Sequence, residues 1–229
     1  MKRTIITTAD GSSTIHLDTW NEHYHSKHGA IREAYHVFVD QGLTVIKKNS
    51  VSILEIGFGT GLNALITLLE AKARGIEIDY TGVEKFPVVS AELDQLNYIS
   101  ELKAEEFREF FLQMHAVPWE VETQITPYFK LCKQQKSFKD IKDIEAYDLV
   151  YFDAFGARVQ PELWTEEIFR TMFKAMKDDG ILVTYAAKGS VRRAMQAVGF
   201  QVERLPGPPG KREMLRAIKK VATITKGAI

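Results

Sequence analysis

The stretch "LEIGFGTGLNAL" constrains this chain more than any other. The β-branched run "VSILEIG" ends at Gly57, Gly59 and Gly61 follow at alternate positions, and "LNALITLLEAKARG" then shows helical apolar spacing with Gly75 as a stop. A strand that enters a glycine turn and leaves as a helix opens a β-loop-α unit. Glycines there let a ligand approach the backbone, and the free N–H groups of the helix start favour an anionic group. Glycines needed only for the turn are the plainer alternative. The dinucleotide fingerprint G-x-G-x-x-G would need glycine or alanine at position 62, which is Leu62.

Strands and helices alternate from Val51 onward. "IDYTGVE" is a strand, Pro87 opens a helix through about Asn97, and "SELKAEEFREFFLQMH" is a helix-rich insertion before a strand in "PYFKLCKQQKSF". "YDLVYFDAF" is a buried strand, "LWTEEIFRTMFKAMKDDG" an amphipathic helix ending at Gly180, and "ILVTYAA" a further strand. The helix "SVRRAMQAVGF" and the strands "QVERL" and "EMLRAIKK" complete the chain. This alternation predicts an α/β fold with a mainly parallel seven-stranded sheet, helices on both faces and one antiparallel edge strand. Residues 1–48 are expected to form an extension, with a hairpin around "DG" and a helix from about Gly29, packing on the ligand side. Residues 49–229 are the main domain.

With 229 residues, 45% of them apolar, the chain is long enough to bury a substantial core. No apolar run reaches the length of a membrane span and the N-terminus lacks the apolar core of a secretory signal, so the expected location is the cytoplasm. Cys132 is the single cysteine, which excludes an internal disulfide or a cysteine-cluster metal site. "HYHSKH" carries His23, His25 and His28, yet no carboxylate partner accompanies them, and no metal is expected. The net charge is zero, but the segment from Lys188 to Lys226 holds ten basic residues against Glu203 and Glu213, a local charge of +8. A solvated basic face and a polyanion-contacting surface are both consistent with that asymmetry.

Two carboxylates stand where ligands collect in such sheets. Glu84 ends the second strand, 27 residues after Gly57, where a carboxylate can accept hydrogen bonds from vicinal ribose hydroxyls in nicotinamide and adenosylmethionine sites alike. Lys85, beside it, joins the candidate cofactor contacts. Asp153 follows the apolar run "LVYF" at the mouth of a strand expected to lie next to the glycine loop. A bare charge is costly in an apolar setting, so Asp153 is expected to face the cleft.

The pattern E-x-G-x-G-x-G from Glu55 to Gly61 resembles that of S-adenosylmethionine-dependent methyltransferases of class I, with a Rossmann-like fold. More narrowly, "GFGTGLN", "VEKFP", "FDAF" followed by "PELWTEEIF", "GSVRRAMQAVGF" and "GKREML" together resemble the methyltransferase module of the MnmC family, over roughly residues 20–217. The motif "SVRR" departs from that family by lacking an aromatic before Val191. The resemblance implies a stand-alone form without the flavin-dependent oxidase half, working with a separate oxidase or an upstream modifying enzyme. It implies methylation of the primary amine of 5-aminomethyl-uridine, or its 2-thio form, at the tRNA wobble position. S-adenosyl-L-methionine would be held by Gly57, Phe58, Gly59 and Gly61, with Glu55 on the amino group, Glu84 on the ribose, Asp140 on the adenine edge and Tyr24 covering it. Asp153 would orient the amine beside the sulfonium methyl, its duty as a base left open, and Phe155 would stack on the uracil or pack as a buried aromatic. Arg158, Lys188, Arg192, Lys211 and Arg212 lie where tRNA phosphates could be met, or on a solvated surface. Runner-up readings are methylation of a small-molecule or protein amine, and a nicotinamide-dependent oxidoreductase.

Overall fold

The structure, a computed structural model, describes residues 2–220; Lys226 of the basic segment lies outside them. A small antiparallel sheet comes first, with β1 Arg3–Thr7, β2 Ser13–Leu17 and β3 Glu22–His23 in that order. The β1–β2 hairpin turns around "DG" as expected. Helix α1, Ala30–Ala34, runs directly into a π-helical turn, Tyr35–Asp40, that buries Val37, Phe38 and Val39. The Phe38 ring lies 5.0 Å from that of Tyr151 in the main sheet, so the first 48 residues share the central core with the rest of the chain.

The main sheet comprises β4 Ser50–Ile56, β5 Glu77–Val83, β6 Glu122–Thr126, β7 Phe129–Gln134, β8 Tyr147–Phe152, β9 Met176–Thr184, β10 Gln201–Pro206 and β11 Glu213–Ile218. Their spatial order is β10-β11-β9-β8-β4-β5-β7-β6. The five central strands, from β9 to β7, are mutually parallel. Helices α2 Leu62–Arg74, α3 Ser90–Leu93, α4 Tyr98–Glu101, α5 Arg108–Ala116, α6 Glu166–Ala175 and α7 Gly189–Val198 connect them. The buried residues divide into two clusters, one built around α1, α2 and α5 and the other around α6 and α7. Helices on both faces account for the near-continuous burial of β8, whose six residues are all buried.

The mainly parallel α/β sheet is as expected, but its details differ in four places. An eighth strand, β6, pairs antiparallel with β7 through a register shift at Gln124/Thr126; its half-exposed, polar sequence "ETQIT" gave little apolar signal. The antiparallel strand β11 is not the edge: it lies between β9 and β10 and pairs antiparallel with both. Helix α6 stops at Ala175 rather than Gly180, because Met176 pairs beside Tyr147 and is completely buried, while Lys177 reaches Asp148. The helix expected from Pro87 shrinks to Ser90–Leu93, since Asn97 turns away to accept from the Ser13 N–H at 2.7 Å and donate to the Gly11 carbonyl at 2.8 Å, pinning the hairpin turn.

The base of the sheet is fastened by Asp148, which is buried and accepts from Lys48 at 2.6 Å, Lys177 at 2.9 Å and the Ser52 N–H at 2.9 Å. Burial alone would raise its pKa, but Lys48, the Ser52 N–H and Lys177 together hold it below the usual carboxylate range. Asp148→Ala is expected to cost about 2–3 kcal/mol in urea unfolding at pH 7, because it leaves a backbone donor and two cations without their partner. A group with a depressed folded pKa stabilises above its unfolded value and loses that contribution as pH falls through the folded one. The difference between wild type and variant should therefore shrink below about pH 4.

Candidate active site

The carboxyl ends of β4, β5 and β8 open into one cavity of about 1820 Å³, closed on one side by the N-terminal sheet. Strands β4 and β8 pair in parallel up to Ile56 opposite Phe152, and the chain at each end turns into the cavity. The Asp153 N–H donates to the Ile56 carbonyl at 2.9 Å, which locks the two strand ends together. Gly57 has φ of 92°, and a Cβ there would stand 2.9 Å from the Asp153 carbonyl oxygen. Only glycine meets both conditions. Gly59, with φ of 50°, lets the Tyr24 ring lie against the loop, since a Cβ would come within 3.2 Å of it.

Glu55 sits beneath this loop, 1% exposed. Its Oε1 accepts from Asn63 Nδ2 and its Oε2 from the Tyr80 hydroxyl, both at 2.9 Å. Burial first, and then the nearby charge of Asp153, push its pKa well above the carboxylate range against the pull of the Asn63 hydrogen bond. Asp153 accepts from the same Asn63 amino group at 2.9 Å through Oδ2. Burial first, then the charge of Glu33, push its pKa well up too, against Asn63 and Lys211. Asn63 Oδ1 is buried and has no hydrogen-bond partner among the described residues. A buried carboxylate, a half-buried one and an unpartnered acceptor around one cavity wall form a donor-poor site that suits a cationic ligand such as the ammonium of a methionine moiety.

Glu84 lines the next part of the cavity. Its Oε2 accepts from the Gly59 N–H at 3.2 Å and its Oε1 from the Phe86 N–H at 2.8 Å, so it braces the glycine loop while retaining lone pairs toward the cavity. Lys85 and Phe58 also line this wall. Gly61 and Asp140 do not: Gly61 faces His115, and Asp140 is exposed at the end of the 3-10 turn Phe138–Asp140. Ser137, Phe138 and Lys139 reach the cavity in place of Asp140, because the turn points its first residues inward.

Over Asp153 the N-terminal segment brings an aromatic wall. Phe155 is met edge-on by Tyr24 at 5.1 Å and by Trp20 at 5.7 Å, and the Trp164 indole N–H holds the Phe155 carbonyl at 2.8 Å. Glu33, from α1, accepts from the Ser26 N–H at 2.8 Å and pairs with Lys211, whose Nζ lies 3.9 Å from the centre of the Tyr185 ring. Arg158 is bound to Glu22 at 2.7 Å and to the Trp20 and Asn21 carbonyls, which strap the loop after β8 to the N-terminal sheet. Lys188 and Arg212 line the cavity mouth; Arg192 does not. His25 is half-buried between Thr14 and Thr60, where desolvation pushes its pKa down to about 4, and it lines the cavity on that side. Among the described residues, no three His, Cys, Asp or Glu side chains gather closely enough to hold a metal ion.

Glu33, Asn63, Tyr185 and Trp20 were not singled out from the sequence. Asn63 alone had a signal there, a polar residue opening an otherwise apolar helix beside the glycine turn. The described helices include none long and apolar enough to cross a membrane.

A family model described as S-adenosyl-L-methionine-dependent methyltransferase matches residues 95–220. Among curated proteins, the bifunctional tRNA 5-methylaminomethyl-2-thiouridine biosynthesis protein MnmC of Marinomonas sp. is 26% identical over 87% of this chain and 31% of its own length. The protein of the same name from Actinobacillus pleuropneumoniae is 30% identical over 86% of this chain and 32% of its own length. The chain thus spans about a third of the length of these bifunctional relatives. Among solved structures, MnmC2 from Aquifex aeolicus superposes with a TM-score of 0.79 at 26% identity, covering 96% of this chain and 71% of that one. Spermidine synthase from Thermotoga maritima, at 15% identity and a TM-score of 0.58, shares the fold, covering 97% of this chain and 70% of that one.

Proposed function

The chain belongs to the S-adenosyl-L-methionine-dependent methyltransferases, and on that premise we propose that it methylates the primary amine of 5-aminomethyl-uridine, or its 2-thio form, at the wobble position of tRNA. The observation that carries this reading is Asp153 at the end of β8, open to the cavity, held by Asn63 and walled by Phe155, Tyr24 and Trp20. The activity for which the MnmC relatives are named supplies the substrate class.

S-adenosyl-L-methionine, when bound, supplies a sulfonium methyl whose C–S bond breaks as the amine lone pair forms the new C–N bond. The chain's own residues prepare that displacement. Glu55 and the glycine loop would receive the cofactor's ammonium end, Glu84 its ribose, and the 137–139 turn its adenine side. Asp153 accepts a hydrogen bond from the incoming ammonium and takes one proton from it, freeing the lone pair for in-line attack. Its raised pKa makes it a stronger base than an ordinary aspartate and moves it toward the working pH. The aromatic wall excludes water and offers a face to the uracil. Lys188 and Arg212 at the mouth meet phosphates directly. Lys211 and Arg158, already paired with Glu33 and Glu22, contribute to the shape of that rim first. A tRNA substrate places the enzyme in the cytoplasm, downstream of a reaction that exposes the primary amine, which a separate oxidase would perform.

Nucleoside mass spectrometry of aminomethyl-uridine tRNA incubated with the protein and S-adenosyl-L-methionine should show the gain of one methyl group on that nucleoside. No gain there would overturn the substrate reading. Glu84→Ala is expected to raise the Kd for the cofactor about 10- to 100-fold in calorimetry, because the ribose loses a charged acceptor and the Gly59 N–H its partner. Saturating cofactor should restore most of the turnover.

A further inference from the structure

Asn63 is the second residue of α2, and its side chain is buried between the ends of two adjacent strands. Glu55 stands one residue before the end of β4, and Asp153 one residue beyond the end of β8. The single amino group of Asn63 donates to both, at 2.9 Å each. The orientation of the amide follows from these partners, since only its NH2 can serve two carboxylate acceptors. Glu55 has a second donor in Tyr80, whereas Asp153 Oδ1 accepts no hydrogen bond among the described residues. Asn63 is therefore the one side-chain donor that fixes which oxygen of Asp153 remains for a ligand.

We propose that Asn63 is a positioning residue for methyl transfer: it holds Asp153 by Oδ2 so that Oδ1 is offered to the amine. The amine in this statement rests on the function proposed above; the hold on Asp153 does not. Hydrogen bonding to the charged form is what opposes the burial of a carboxylate. Other groups facing the pair do not substitute for it. Lys211 comes from the β10–β11 loop already paired with Glu33 of α1. Tyr80 on β5 serves Glu55, and Tyr185, after β9, gives its hydroxyl proton to the Ala154 carbonyl at 2.8 Å. Glu84, at the end of β5, adds only negative charge beside Glu55.

The test reads Asp153 directly, by carbon NMR of the protein labelled at aspartate carboxyls, with its resonance assigned from its loss in Asp153→Asn. In Asn63→Ala, saturated with S-adenosylhomocysteine, the Asp153 midpoint is expected to rise by about one to two pH units, the effect of removing a hydrogen bond to a charged group. Asn63→Ser, whose shorter side chain cannot span both carboxylates, should raise it as well and guards against poor folding of the alanine variant. The acid limb of kcat should move by the same amount, so that the deficit of Asn63→Ala is largest on the acid side and shrinks as the pH rises above both midpoints. An unchanged Asp153 midpoint in both variants overturns the proposal, as does a deficit equal at every pH. A wild-type protein inactive on aminomethyl-uridine tRNA would sink the substrate reading alone and leave the NMR titration to decide this one.

Discussion

Asp153→Asn is expected to lower turnover by about 10²- to 10⁴-fold, the range for loss of a positioned general base, with the Kd for S-adenosyl-L-methionine changed much less. Single-turnover methylation assays and calorimetry would separate the two effects. The variant keeps the shape of the side chain and an oxygen that can accept from Asn63, so the strand ends of β4 and β8 should stay joined through the Asp153 backbone bond to Ile56. A second signature follows from electrostatics. The folded pKa of Asp153 is raised, by burial first and Glu33 next. A carboxyl of this kind favours folding fully only below its unfolded pKa of about 3.9 and becomes a cost as pH rises through its folded value. Removing its charge should therefore raise the Tm at pH 8, by about 2–4 °C for each kcal/mol regained, and leave it nearly unchanged at pH 4. A Tm that falls at pH 8 would show instead that the carboxylate holds the fold together.

That trade between activity and stability also explains what could be read from the chain and what could not. "LVYFDAF" announces itself because a carboxylate after a buried run is out of place in a core, and β8 pairs beside β4 as the α/β alternation requires. The glycine loop is visible for a similar reason: its spacing answers to backbone geometry, as the positive φ of Gly57 and Gly59 bears out. Both features are local in sequence. Glu33 is not, for it reaches the cavity only because α1 folds under the β10–β11 loop and meets Lys211, 178 residues away. Nor could the chain disclose that Arg158 and Lys211 spend their charge on Glu22 and Glu33, since ion pairing across such distances leaves no spacing to detect. Asp140 lies exposed while its neighbours Ser137, Phe138 and Lys139 line the cavity, because a 3-10 turn points successive side chains in different directions and the sequence does not set its phase. Helix α6 ends short of its sequence pattern for the converse reason: the amphipathic pattern runs on through "MKDDG", but pairing of Met176 with the sheet outweighs it.

Gly57→Ala should damage the candidate site directly. The residue has φ of 92°, where an L side chain is strained by about 1–2 kcal/mol. Its Cβ would also press to 2.9 Å from the Asp153 carbonyl oxygen, a backbone atom that cannot swing away. Two strand ends would then have to part. The Gly57 and Phe58 N–H groups both donate to the Val83 carbonyl, at 3.0 and 3.1 Å, so a shift of the loop is transmitted to β5 and to Glu84 beyond it. Cofactor affinity is expected to fall about 100-fold or more in calorimetry, roughly 3 kcal/mol, and turnover at saturating cofactor to fall as well, since Asp153 is displaced from the other side of the same contact. Gly75→Ala supplies the control. Gly75 has a positive φ too, 63°, but nothing lies within 4 Å of the added carbon. It should lose about 1 kcal/mol of stability with unchanged cofactor binding. If both variants lost stability equally and bound the cofactor equally well, the close approach of loop and Asp153 would have no part in forming the site.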